Sequence, residues 1–124
     1  MKKILIVEDE KELLDVIAYQ LRKNNFDVVA AVDGAEGFSA AKREHPDLIL
    51  LDIVMPKMDG MAMLEKLRQD SWGKNAKVIL LTNLGDNEKV AQAVKLGTFD
   101  YLVKADWNIN EVVKLVNERL SGGN

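Results

Sequence analysis

Residues 4–7, 48–51 and 78–81 are short stretches rich in Ile, Leu and Val and apolar at every position. An unbroken run of four suits a strand buried on both faces of a parallel sheet, because a strand with one wet face alternates instead. Residues 28–32 and 101–103 read as two further strands. Between the runs the apolar spacing lengthens to three and four. Leu13, Leu14, Ile17, Ala18 and Leu21 place an amphipathic helix over roughly residues 10–24, stopped by Asn24-Asn25. A second helix starts at Asp33-Gly34 and carries Ala35, Phe38, Ala41 and Lys42. Pro46 ends that stretch, since the residue before a proline disfavours helix. A third follows Asp59-Gly60 with Met61, Leu64 and Leu67, and halts around Ser71-Trp72-Gly73. A fourth spans residues 87–96, with Gly97 in the position of a C-terminal cap. Ile109, Val112, Val113, Val116 and Leu120 mark a fifth, and residues 121–124 read as a flexible tail.

Five strands thus alternate with five helices, through connections mostly too short for anything but βα units. That predicts a doubly wound α/β domain over residues 1–120, its parallel sheet covered by helices on both faces through right-handed crossovers. The 124 residues suffice to bury roughly two-thirds of the surface the unfolded chain exposes. A net charge of −3 argues against a general nucleic-acid-binding surface. The absence of cysteine excludes disulfides, thiol catalysis and cysteine metal sites, and fits a cytoplasmic protein. Only four apolar residues follow Met1-Lys2-Lys3, whereas a signal peptide needs about 7–15 and a membrane span about 20, so neither is expected there.

Polar residues cluster where the strands end. Glu8 and Asp9 close the first, Asp52 the third, Thr82 the fourth and Lys104 the fifth. In an open α/β sheet these ends share one rim, which is where ligands bind. Each residue alone has an ordinary explanation as a loop acid, a turn-capping hydroxyl or a snorkelling lysine; four such ends out of five argue for one site. Two like charges about 4 Å apart repel by roughly 4 kcal/mol at an effective dielectric of 20, so three clustered carboxylates need positive charge or a proton. Lys104 supplies one charge, and the remaining surplus suits a hard divalent cation. Oxygen ligands without His or Cys point to Mg²⁺, with Mn²⁺ as a substitute. A carboxylate beside such an ion, an ammonium and a hydroxyl is the set needed for phosphoryl transfer to an aspartate. In it Asp52 attacks, Lys104 spreads charge and Thr82 donates to a phosphoryl oxygen.

These segments resemble the response-regulator receiver domain, the phospho-acceptor module of two-component signalling, from about residue 3 to 120. The likeness rests on Ile-Leu-Ile-Val-Glu-Asp-Glu at 4–10, Pro-Asp-Leu-Ile-Leu-Leu-Asp-Ile-Val-Met-Pro-Lys-Met-Asp-Gly at 46–60, and Tyr-Leu-Val-Lys at 101–104. The chemotaxis receiver is a standard example of the flavodoxin-like strand order 2-1-3-4-5, so that order enters as an implication of the likeness. The resemblance also implies that Asp52 is phosphorylated and that Glu8, Asp9, Asp52 and the backbone carbonyl of Val54 hold Mg²⁺. It makes Thr82 and Tyr101 the switch pair and brings Lys104 to the phosphoryl group. The implied partners are a sensor histidine kinase or phosphotransfer protein and an output protein met through the fourth helix, fifth strand and fifth helix. Neither nucleic acid nor membrane is expected to bind directly. The protein would be a monomer or a phosphorylation-dependent dimer, and a signalling domain rather than an enzyme.

Two positions depart from the family pattern. Ala105 replaces the usual proline after the lysine, so a trans Lys104–Ala105 bond and a shifted loop around Trp107 are expected. Thr98 replaces the favoured alanine after the glycine, a change that sequence alone marks as minor. Val54 and Leu84 put apolar side chains two residues beyond Asp52 and Thr82, where neither can orient a hydrolytic water. Slow self-dephosphorylation is the expectation. Two rivals stand beside this reading. A haloacid-dehalogenase-like phosphatase would need a second aspartate where Val54 stands, and a phosphorylation-independent interaction module on the same fold would have lost an acid, the acceptor or the lysine. His45, the single histidine, reads as a loop residue rather than a base.

Overall fold

The computed structural model describes residues 1–53, 55, 58–83, 85–98, 100–104 and 108–121. In chain order its elements are β1 (Lys3–Val7), α1 (Lys11–Lys23), β2 (Asp27–Ala31), α2 (Gly34–Glu44), β3 (Leu48–Asp52) and α3 (Gly60–Gln69). A 3₁₀ turn (Gly73–Asn75) precedes β4 (Val78–Thr82), α4 (Asn87–Lys95), β5 (Asp100–Val103) and α5 (Ile109–Ser121). The strands form one parallel sheet in the order β2-β1-β3-β4-β5, the flavodoxin-like arrangement expected.

Side-chain alternation along the interior strands explains their unbroken apolar runs. Leu5, Val7, Ile49, Leu51, Val78 and Leu80 face one layer, built with Ala40 and Ala41 of α2, Met63, Leu64 and Leu67 of α3, and Ala93 of α4. Ile4, Ile6, Leu48, Leu50, Ile79 and Leu81 face the other, packed by Leu14, Ile17, Ala18 and Leu21 of α1 and Val112 and Val116 of α5. Each interior strand has two cores to satisfy, so residues 4–7, 48–51 and 78–81 leave no position for a polar side chain. Among the described residues no helix is long and apolar enough to cross a membrane.

The helix ends follow their capping chemistry. Asp33 accepts from the Glu36 N–H at 2.8 Å and Asp59 from the Ala62 N–H at 2.9 Å, starting α2 and α3. Asn25 takes a left-handed conformation (φ 69°) after α1, and Gly97 does so (φ 78°) after α4. Several boundaries differ from expectation by one residue. The second strand is Asp27–Ala31 rather than 28–32, because the Glu8 N–H takes the Ala31 carbonyl as the sheet's last bond there and Val32 swings out. The fifth starts at Asp100, which pairs with Ile79 and is held by both arms of Arg119 at 2.7 Å. Ser121 belongs to α5, its hydroxyl donating to the Asn117 carbonyl. On α2, Ala35 is exposed, and the small residues that face the core are Gly34, Gly37, Ala40 and Ala41.

One close approach sets the end of β3. The Gly60 N–H donates to the Ile53 carbonyl at 2.7 Å, and a Cβ at Gly60 would overlap the Asp52 carbonyl oxygen. Glycine at the start of α3 is therefore a condition for the backbone path that carries Asp52. Gly60→Ala should destabilise the fold by about 1–3 kcal/mol in denaturant unfolding, as overpacking does. Glu65→Ala on the exposed face of the same helix should stay within about 0.5 kcal/mol of wild type; equal midpoints for the two variants would refute this account.

Candidate functional site

The sheet brings the predicted strand-end residues together. Register places Val7 beside Leu51 and Asp52 beside Leu81, so the residues just past β1 and at the end of β3 are lateral neighbours. One carboxylate oxygen each from Glu8, Asp9 and Asp52 lies within 4.8 Å of the others. Glu8 is fully buried, Asp52 nearly so, and Asp9 is exposed. From the other side, the Lys104 N–H donates to the Thr82 carbonyl at 2.7 Å, which fixes where its side chain departs. Its ammonium then reaches Glu8 Oε1 at 2.9 Å and Asp52 Oδ2 at 3.2 Å. A fourth acid, Glu10, stands 3.5 Å from the same ammonium. Sequence reasoning passed over Glu10; its adjacency in the run Glu8-Asp9-Glu10 was the available signal.

Charge is unevenly distributed. Burial, followed by repulsion from Glu8, pushes the Asp52 carboxyl up to about 7, against the pull of Lys104. Burial alone would lower the Lys104 ammonium, but its contacts with Glu8 and Asp52 outweigh that and hold it above its ordinary value. Glu8 Oε2 accepts from the Glu10 N–H at 3.0 Å. Glu8 Oε1, although close to Lys104, receives no aligned hydrogen bond. That oxygen is held by charge rather than by an aligned hydrogen bond, and keeps lone-pair capacity for a second cation.

The Thr82 side chain is buried, and its hydroxyl donates to the Leu102 carbonyl at 3.2 Å. Tyr101 on β5 is half exposed. Val54, Leu84, Ala105 and Trp107 lie outside the described residues, as does the expected trans Lys104–Ala105 bond. His45 caps α2 in a left-handed conformation and stacks on Trp72, centroids 4.6 Å apart, so the aromatic pair occupies it away from the acids.

A family model described as the response regulator receiver domain matches residues 4–117. The probable transcriptional regulator ycf27 of Porphyridium aerugineum is 35% identical over 129 residues, covering 99% of this chain and 52% of that protein. The chain spans about half the length of the first curated relatives it matches. Among solved structures, the receiver domain of the Francisella response regulator 1452 superposes with a TM-score of 0.88 at 30% identity, both chains being covered completely. The receiver domain of the sensor histidine kinase PA1611 from Pseudomonas aeruginosa PAO1 gives 0.86 at 28% identity, covering 97% of this chain and 98% of that one. That structure holds a magnesium ion coordinated in its active site cleft. Strand order, the acid cluster with its lysine, and a family match over nearly the whole length agree: the chain belongs to the response regulator receiver domains.

Proposed function

We propose that Asp52 accepts a phosphoryl group from a phosphohistidine on a sensor histidine kinase or phosphotransfer protein. The observation that carries this is the single ammonium of Lys104 set against both Glu8 and Asp52 at the carboxyl rim of the sheet. The donor set fits magnesium: three carboxylate oxygens gather within 4.8 Å, one buried oxygen lacks a hydrogen bond, and one lysine faces several acids. Glu8, Asp9 and Asp52 would hold the ion, with the Val54 carbonyl added by family likeness; Mn²⁺ would substitute. When bound, the ion supplies positive charge for the phosphoryl oxygens.

Asp52 acts as the nucleophile. One of its carboxylate oxygens bonds to phosphorus as the phosphorus–nitrogen bond breaks, the electron pair leaving with the imidazole of the donor. Lys104 shares the charge that spreads onto the transferring oxygens. The Thr82 hydroxyl has one proton, so it donates either to Leu102 O, as here, or to a phosphoryl oxygen. Transfer of that bond would free the Leu102 carbonyl and bias Tyr101 and the α4–β5–α5 surface toward a second arrangement. Such a domain catalyses its own phosphorylation and slow dephosphorylation only, works in the cytoplasm, and meets its output protein as a monomer or a phosphorylation-dependent dimer. Direct nucleic-acid binding is not part of this reading.

Acetyl phosphate with Mg²⁺ should add one phosphoryl group by intact mass, and neither chelated buffer nor Asp52→Asn should show the gain; a gain in the Asn variant would remove the role assigned here. Without metal, Lys104→Met should destabilise the fold by about 3 kcal/mol, because it strands buried acids, whereas Asp52→Asn should raise the melting temperature. Opposite signs would mean that Lys104 is not the neutralising group. From sequence, Val54→Asn with Leu84→Glu should speed phosphate release from the phosphorylated protein, and matching release rates would dismiss the idea that these two apolar side chains fail to orient a hydrolytic water.

A further inference from the structure

Helix α4 is held very unequally at its two ends. Of its nine residues only Ala93 is buried, so packing alone gives it little purchase. At the amino end the Asp86 side chain caps no helix N–H and instead accepts from Asn83 at 2.7 Å. Just before it, Gly85 takes a left-handed conformation (φ 92°) with open space around it. At the carboxyl end the Thr98 N–H donates to the Ala93 carbonyl at 2.9 Å and the Gly97 N–H to the Val94 carbonyl at 3.0 Å, a closed terminus. That terminus is then gripped from outside by Arg68 of α3. Its Nε donates to the Leu96 carbonyl at 2.7 Å and its Nη2 to the buried Thr98 hydroxyl at 2.9 Å. Nη1 binds the Gly73 and Ala76 carbonyls at 2.8 and 3.0 Å, anchoring the same guanidinium to the turn before β4.

We infer that Arg68 and Thr98 are positioning residues that make the carboxyl end of α4 a fixed pivot, about which its amino end swings when Asp52 is phosphorylated. This deepens the reading above and rests on it. Two observations meet here. In that reading the stimulus acts at Thr82, whose neighbour Asn83 is engaged by the Asp86 side chain beside the loosely held end. Thr98, two residues before β5, ties the far end to a guanidinium whose four acceptors are all uncharged and which burial already disfavours in its charged form. A guanidinium tied to two carbonyls of the turn before β4, Gly73 and Ala76, has little freedom to follow a moving helix, so Leu96 and Thr98 stay where Arg68 holds them. Alanine at position 98 would remove the hydroxyl and leave α4 only the carbonyl contact at Leu96.

Amide hydrogen exchange on the bare and phosphorylated full chain, with intact mass recorded in parallel, tests this. In wild type, exchange over residues 85–90 should change by about tenfold on phosphorylation while residues 93–98 stay within about twofold. Thr98→Ala should take up the phosphoryl group at the wild-type rate. Its residues 93–98 should now respond by about tenfold, the weight of one charge-assisted hydrogen bond. Thr98→Ser should restore the wild-type pattern. A merely structural threonine would raise exchange equally in both states and leave the phosphorylation-dependent difference unchanged, which would overturn the pivot. So would a wild-type response as large at residues 93–98 as at residues 85–90. Failure of wild type to gain phosphoryl mass would instead overturn the underlying reading, and the two failures are separable in the same experiment.

Discussion

The lysine that closes β5 is the constraint on which the rest of this molecule depends. Three acids converge at one end of the sheet, two of them shielded from water, and like charges in that setting repel by several kcal/mol unless a partner is built in. Lys104 is that partner, and it is delivered with little freedom: its own N–H is tied to Thr82, so the ammonium meets Glu8 and Asp52 from a defined direction. One positive charge does not cancel the set. The imbalance is visible in Asp52, which is left reluctant to ionise. A fold stable in this condition is poised to gain from added positive charge at that spot.

The sheet explains why the acids can be gathered at all. Strands β1, β3 and β4 are apolar up to their carboxyl ends because both faces are covered, and the polar residues that follow therefore fall within one residue of the same level. Lateral register then turns sequence positions 8, 52, 82 and 104 into neighbours. The glycine that opens α3 lets the chain pass tightly beneath the Asp52 backbone, so geometry at the rim is inherited from packing a layer below.

Much of this was legible in the residues. Glu8, Asp9, Asp52, Thr82 and Lys104 declared themselves because each interrupts an apolar run, and a strand end is something a one-dimensional pattern can mark. Gly97 and Asp59 were legible for a similar reason, since caps are local chemistry. Arg68 was not. Its partners lie between 5 and 30 residues away and three of the four are main-chain carbonyls, which carry no signature in sequence. Thr98 looked like a trivial departure until its hydroxyl was found beneath that guanidinium. Val32 was misjudged by one position because periodicity locates a face better than an edge.

The strand order also dictates when the rim can first exist. The strand made first lies inside the sheet, and its inner neighbour, β3, is complete only at residue 52. The neutralising amine belongs to the last-made edge strand, half a chain later. A nascent polypeptide emerging amino end first therefore passes through a stage in which Glu8 and Asp52 can already be adjacent without their counter-charge. Charge pairing at the rim is consequently completed late, by the arrival of one short segment just before α5 closes the second layer of the core.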